Sequence, residues 1–230
     1  MALNLATLRT RALTALVFVA VMLGGIFYNQ WSFFILFLII QAGCWWEYFK
    51  LIKLIDPDCL KTALNIAKYV LLGIAYISLP CVLMTDLYTK SASLYHETGW
   101  LLPMIIIATI WINDTMAYIV GSLIGKTPLS AISPKKTWEG TIGGAILAIG
   151  VVTWGANYMY TALNINILLL ISTTAAITGT LGDLLESKLK RMAGVKDSGQ
   201  IMPGHGGFLD RFDSLLIATT AVWLVLFLYL

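Results

Sequence analysis

The chain reads as an all-α, polytopic integral membrane helical bundle of about seven transmembrane spans, with its N-terminus cytoplasmic. Three observations carry this reading. Hydrophobic residues make up 59% and charged residues 12% of the 230 positions, against about 25% charged in an ordinary soluble domain. The apolar residues gather into runs close to the roughly 20 residues that a spanning helix needs. The basic residues, few as they are, sort onto one side of those runs. The soluble alternative, seven helices buried in one globule, would need far more polar surface.

The runs, in order, are Ala12–Tyr28, Trp31–Trp46, Ala67–Thr85, Trp100–Ile124, Thr141–Ala162, Ile167–Leu185 and Ser214–Leu230. With the N-terminus inside, Arg9 and Arg11, then Lys50, Lys53, Lys61 and Lys68, then Lys126, Lys135 and Lys136, then Lys188, Lys190, Arg191, Lys196 and Arg211 all fall on the cytoplasmic side. Lys90 alone lies outside, as the positive-inside rule requires of this topology. The first two runs are short and could form a re-entrant pair, which would leave every other orientation unchanged. Arg9 and Arg11 before an apolar run resemble the start of a signal peptide. No small-residue cleavage site follows, so an uncleaved first span is expected.

Other segments are plainer. Cys44, Cys59 and Cys81 are odd in number and lack a C-x-x-C pair, so they read as packing residues. Asp56-Pro57-Asp58 reads as a turn. Leu60, Ala63, Leu64 and Ala67 after it sit at the spacing of an interfacial helix, with Lys61 and Lys68 facing anionic headgroups. Trp31, Trp45, Trp46, Trp100, Trp138 and Trp154 read as interface anchors. The organisation is one integrated membrane domain. Residues 1–99 form an N-terminal region with a cytoplasmic interfacial loop, and residues 100–230 form a catalytic region carrying the loop 183–214.

Polar residues inside the spans are the first functional signal. Asp114 lies ten residues before Ile124, about 15 Å of helix. An ionisable group at that depth is expensive and marks a functional site by default. Tyr118 at i+4 and Gly121 at i+7 share its face, which suits the wall of a polar cavity. A structural aspartate satisfied by a neighbouring helix is the plainer alternative. In the loop after this span, Ser133-Pro134 fits an N-cap and first helical position. Lys135 and Lys136 would then stand by free backbone N–H groups and could hold an anion, or simply be positive-inside lysines.

The stretch from Ser187 to Ser214, SKLKRMAGVKDSGQIMPGHGGFLDRFDS, concentrates charge and glycine in an otherwise apolar chain. Glycines let backbone approach a phosphate, lysines and arginines neutralise it, and aspartates bind Mg²⁺. Asp183, Glu186 and Lys190 share one helical face, and Gly194 reads as the helix stop. Asp210 and Asp213 stand at i and i+3 where the last span begins. A loop folding back from Gly194 to Gly207 can bring Asp183 near Asp210, so that two carboxylates on one Mg²⁺ face the turn of Gly204, Gly206 and Gly207. Taken singly, each acid also fits an exposed ion pair at a helix end. His205, within that turn, is a phosphate contact, a proton relay or a surface histidine.

Ser187-x-Leu189-Lys190-Arg191, Lys196-Asp197 and Pro203-Gly204-His205-Gly206-Gly207-Phe208-x-Asp210-Arg211-x-Asp213 together resemble the signature of the phosphatidate cytidylyltransferases, or CDP-diacylglycerol synthases. Asn113-Asp114-Thr115-x-Ala117-Tyr118 and Ser133-Pro134-Lys135-Lys136-Thr137-Trp138-Glu139-Gly140 resemble two further blocks of that family, in family order. The resemblance covers Trp111 to Ser214. It implies a dimeric, all-helical enzyme of the bacterial inner membrane with a cavity open to the cytoplasm and to lipid. The reaction implied is CTP plus phosphatidic acid giving CDP-diacylglycerol and pyrophosphate. It also implies Mg²⁺ on Asp183 and Asp210, with a monovalent cation such as K⁺ as an added candidate. Lys196, Arg211 and His205 join the two acids as expected catalytic residues. Asp114, Tyr118, Ser133, Lys135, Lys136, Lys190, Arg191, Asp197, Gly204, Gly206, Gly207 and Asp213 are the expected substrate contacts. Met116 stands where the family usually has glycine, and the N-terminal half looks shorter than in many relatives.

Two other classes fit parts of the pattern. A CTP-dependent polyprenol or phytol kinase would share the intramembrane acids and basic loops but release no pyrophosphate. A transporter would explain Asp114 but not the glycine-rich turn. Nothing in the chain suggests a nucleic-acid partner.

Overall fold

The computed structural model describes residues 5–95, 98–160, 163–200 and 206–229, and of residues 5–12 the backbone alone. It is built of helices: α1 (Leu5–Phe27), α2 (Gln30–Ile55), α3 (Ala63–Gly73), α4 (Leu79–Leu94), α5 (Leu101–Ile124), α6 (Trp138–Met159), α7 (Ile165–Met192) and α8 (Leu209–Tyr229). A π-turn, Ile74–Ser78, joins α3 to α4 without a break. Among the described residues six helical stretches are long and apolar enough to cross a membrane, and Leu13–Phe27 is a shorter apolar helix. The protein is therefore an all-α integral membrane bundle of about seven spans.

Several helices outrun the apolar segments that announce them. α2 continues through Glu47, Lys50 and Lys53 to Ile55, because a helix is ended by backbone signals rather than by loss of hydropathy. It starts on a reciprocal cap. The Ser32 backbone N–H donates to Asn29 Oδ1 at 2.8 Å, and the Asn29 N–H donates to Ser32 Oγ at 3.0 Å. The expected interfacial helix is corrected. Thr62 caps Ala63, accepting from the Asn65 N–H at 3.2 Å, and the helix runs on from there as the 32-residue span Ala63–Leu94. The expected turn at Asp56–Asp58 is present, closed by the Asp58 N–H on Asp56 Oδ1 at 3.0 Å.

The chain divides into two compact units. One comprises Met1–Cys81 with Leu189–Phe212, the other Val82–Lys188 with Asp213–Leu230. In the first, Phe33, Phe37, Ile40, Cys44, Tyr48 and Leu51 form a buried stripe along α2. Trp45 turns inward, donating from Nε1 to Ser78 Oγ at 2.9 Å beside the π-turn, so it is a packing residue. Trp31, Trp46, Trp138 and Trp154 are exposed, as anchors should be.

In the second unit Ile106, Ile107, Leu168, Ile171, Ala175, Ala218 and Val222 make the core. α5 and α6 approach closely through small residues: a Cβ added at Gly144 would stand 2.6 Å from the Ala117 N, and one at Gly140 2.6 Å from the Ala117 O. Small residues that let backbones touch are the usual device for packing helices in lipid. α7 and α8 repeat it, since a Cβ at Gly182 would stand 2.5 Å from the Asp213 O.

Between α5 and α6 the chain makes a two-stranded antiparallel ribbon, β1 (Pro128–Ser130) and β2 (Ser133–Thr137), with Pro128 opposite Thr137 and Ser130 opposite Ser133. This corrects the expectation that Ser133 caps a helix beginning at Pro134. The cap is Thr137, whose Oγ1 accepts from the Gly140 N–H at 3.2 Å, and the helix begins at Trp138.

Candidate active site

A cavity of about 460 Å³ opens in the second unit, within the size range of small-molecule sites. α5 supplies Asn113, Asp114, Ala117, Tyr118, Gly121 and Ser122. β2 supplies Lys135, Lys136 and Thr137; α6 gives Thr141 and α7 gives Thr180 and Asp183. The face expected from Asp114, Tyr118 and Gly121 is thus a cavity wall, and Asp114 stands in the middle of a 24-residue helix.

Lys136 reaches across the cavity to Asp183, its Nζ paired with Oδ2, both side chains about a quarter exposed. Ser187 Oγ donates to the other oxygen of Asp183 at 3.3 Å. Lys135 and Tyr118 are exposed. Asn113 is buried. Its Nδ2 lies 3.4 Å from Thr180 Oγ1, and its Oδ1 has no hydrogen-bond partner among the described residues. An orphaned acceptor at a cavity wall is an unspent contact for a donor.

Glu139 holds the lysine-bearing ribbon in place. Its carboxylate accepts from the Lys126 N–H at 3.2 Å, the Thr127 N–H at 3.2 Å and Thr127 Oγ1 at 2.9 Å. One acid in the first turn of α6 therefore serves the helix N-terminus and the ribbon's entry together.

The first unit carries the signature segment. α7 ends in a Schellman turn: Gly194 has φ +69°, the Val195 N–H donates to the Lys190 O at 3.0 Å and the Gly194 N–H to the Arg191 O at 3.2 Å. Gly194 is therefore the helix stop that its sequence position suggests. Asp210, at the start of α8, is densely bonded. Oδ1 pairs with Lys190 Nζ at 2.6 Å, and Oδ2 accepts from the Ser198 N–H at 2.9 Å and the Gly207 N–H at 2.8 Å. Lys190 stands on the same helix as Asp183 and Glu186, and the structure pairs it with Asp210.

Gly206 has φ +81°, and a Cβ there would stand 2.7 Å from Asp210 Oδ2. A Cβ at Gly207 would collide with the Glu47 carboxylate. Both glycines are thus already required by the protein's own carboxylates, apart from any phosphate. Lys196, Asp197, Arg191 and Arg211 are exposed. Arg191 donates to the Val195 O at 3.3 Å. Asp213 is buried, its Oδ1 accepting from the Ser214 N–H at 2.5 Å. Ser133 is half-buried in β2. Gly204 and His205 lie outside the described residues.

Asp183 and Asp210 belong to different units, so each stands with its own partners. Taken singly, each is a carboxylate of the kind that binds a hard divalent cation, and each is ion-paired with a lysine.

Sequence reasoning missed Glu47, Ser198, Glu139 and Thr180 as members of these networks. Glu47 carried a readable signal. It is the first acid in the chain, but a second span stopped at Trp46 leaves it among cytoplasmic residues, outside the rule for buried charge.

Fold and cavity together define an integral membrane protein whose polar cavity holds a lysine–aspartate pair. A sequence profile described as "Cytidylyltransferase family" matches residues 59–229, and the chain belongs to that family. Among its relatives, the phosphatidate cytidylyltransferase of Staphylococcus haemolyticus is 44% identical over 151 residues, 65% of this chain and 55% of that protein. The one from Synechocystis is 45% identical over 129 residues, covering 55% and 43%. The one from Staphylococcus aureus is 35% identical over 187 residues, covering 76% and 69%. The chain spans about half the length of several of the curated relatives it matches.

Proposed function

We propose that this protein is a phosphatidate cytidylyltransferase of the bacterial inner membrane, converting CTP and phosphatidic acid into CDP-diacylglycerol and pyrophosphate at its cytoplasmic face. The observation that carries the proposal is the meeting of Asp114, Tyr118, Lys135, Lys136 and Asp183 around one cavity, in a family whose named relatives carry out this class of transfer. Nucleotidyl transfer asks for positioning and for charge neutralisation along the line of attack, with little covalent help. The nucleophile is a phosphate oxygen already ionised at neutral pH, so no strong general base is needed.

Lys135 and Lys136 are suited to binding phosphate oxygens from the ribbon. Asp114 and Asn113 line the cavity and are suited to orienting a polar group there. Lys196 and Arg211 are exposed cations whose charge suits the departing pyrophosphate. Asp183 and Asp210 would hold Mg²⁺, which supplies neutralisation of the triphosphate charge when bound. Lys136 and Lys190, now paired with those carboxylates, would then be released toward phosphate. Membrane lipids supply the second substrate and the surroundings, and the functional form is a homodimer.

The test is direct. Purified protein with CTP, phosphatidic acid and Mg²⁺ is scored for pyrophosphate and for a CDP-lipid. Both products are expected in equal amounts. CDP together with a newly phosphorylated lipid alcohol, and no pyrophosphate, would make the protein a kinase instead. Solute movement without nucleotide consumption would make it a transporter.

A further inference from the structure

Glu47 is the most buried acid in the first unit, with none of its surface exposed. Among the described residues no lysine or arginine pairs with it. Its Oε2 accepts from Ser198 Oγ at 2.7 Å and from the Leu209 N–H at 2.9 Å. Its Oε1 has no hydrogen-bond partner among the described residues and is walled in by two glycines. A Cβ at Gly199 or at Gly207 would collide with this carboxylate. A carboxylate kept in such a place is costly, and it persists where its bonds fix something else.

What it fixes is legible in the bonds. Ser198–Gly199 and Gly207–Leu209 are the two arms of the signature loop, and Glu47 touches both. Ser198 then passes the constraint on: its N–H donates to Asp210 Oδ2 at 2.9 Å, and its Oγ lies 3.0 Å from the same oxygen. The hydroxyl has one proton to give. The shorter contact is to Glu47, and Asp210 Oδ2 already receives the Ser198 and Gly207 amides. The Asp210 N–H donates back to Ser198 Oγ at 3.3 Å. One buried carboxylate in α2 thus clamps both arms of the loop that presents Asp210. Glu47 also lies ahead of residues 59–229, the part matched by the family profile.

We infer that Glu47 is a positioning residue: by gripping Ser198 and Leu209 it sets the orientation in which Asp210 is offered to cation and nucleotide. The activity readout of this inference rests on the cytidylyl-transfer reading above; the structural readout does not.

The test uses the full chain in detergent with Glu47→Gln, Glu47→Ala and Ser198→Ala. Three quantities are measured: thermal melting, hydrogen exchange of the peptide spanning residues 195–210, and turnover of CTP with phosphatidic acid across a Mg²⁺ titration. Gln keeps an acceptor oxygen for both donors, so Glu47→Gln should stay within about fivefold of wild-type turnover, the loss expected when a bond is weakened but not removed. Glu47→Ala should lose on the order of 10²-fold in kcat, the scale of misplacing a group near the reacting atoms. It should also raise the Mg²⁺ concentration for half-activity several-fold, with KM for phosphatidic acid little changed, and speed exchange in the loop. A buried acid that only supports the fold would lower the melting temperature without moving the Mg²⁺ midpoint.

Ser198→Ala removes the hydroxyl link without emptying the core, so it decides the matter if Glu47→Ala does not fold. It should shift the Mg²⁺ midpoint the same way. The inference is overturned by a folded Glu47→Ala or Ser198→Ala with the wild-type Mg²⁺ midpoint, or by a Gln variant as damaged as Ala. If wild-type protein forms no CDP-lipid, the cytidylyl-transfer reading fails by itself. Loop exchange then judges the clamp alone, and unchanged exchange in Glu47→Ala overturns it.

Discussion

At the scale of single residues, the two carboxylates proposed to hold the metal already have partners. Asp183 is held by Lys136 and Ser187, and Asp210 by Lys190 and two backbone amides. Replacing either acid by asparagine keeps its size and one acceptor oxygen but removes the charge. Asp183→Asn and Asp210→Asn should each lower kcat by at least ~10²-fold, the scale of losing a principal electrostatic stabiliser, with melting temperature near wild type. Near-normal turnover in either purified variant would end the two-aspartate proposal. The glycine-rich turn is more subtle. Gly206→Val and Gly207→Val should abolish activity, and His205→Ala should reduce it less. The valine variants no longer report on phosphate approach, because Gly206 carries a positive φ against Asp210 and Gly207 lies against Glu47. His205→Ala is the informative member of the set. A dead alanine variant beside active valine variants would make the histidine the centre of the site.

At the scale of elements, α5 and α6 set the cavity's width, and their contact rests on the absence of side chains at Gly140 and Gly144. A Cβ and more at Gly144 must push α6 from the Ala117 backbone, moving Thr141 and β2 with it. Gly144→Val should destabilise the protein by about 1–3 kcal/mol, the usual cost of overpacking, and raise KM for CTP. A variant with unchanged melting and unchanged KM would show that the helix spacing does not govern the cavity. This is also where the sequence was least transparent. The spans were readable because hydropathy averages over many residues, and Asp114 stood out because it breaks such an average. The ribbon was hidden: Ser133-Pro134 has the chemistry of a helix start, yet proline is equally at home on an edge strand, and β2 belongs to a ribbon of only two strands. The Lys136–Asp183 pair joins residues 47 positions apart, and no local pattern announces a contact of that separation. Lys190 likewise pairs with Asp210, 20 positions away, after the Schellman turn at Gly194 has redirected the chain.

At the scale of the whole molecule, the decisive property is sidedness, since CTP is available on one side of the membrane only. All basic residues but Lys90 fall on the proposed cytoplasmic side, and the positive-inside bias is strongest near the ends of the spans. Lys90 sits by Asp86 at 2.9 Å and over the Trp223 ring at 4.7 Å, an arrangement that ties the far end of α4 to α8 within the second unit. Accessible cysteines can test the map, provided that the probes are chosen by packing. Gly199 is a poor site, because a side chain there meets Glu47. Gln200, its neighbour, is exposed, as is Ser93 at the opposite end of α4. The three native cysteines are buried thiols, so background labelling should be low. In sealed vesicles a membrane-impermeant maleimide should label Gln200→Cys only from the cytoplasmic side and Ser93→Cys only from outside. Labelling of both from one side would remove the odd number of crossings between them, and with it the assignment of α5, α6 and α7 as three spans. The exact reverse pattern would keep the spans but turn the protein over, placing the lysine-lined cavity away from CTP and withdrawing the proposed reaction on grounds of compartment alone.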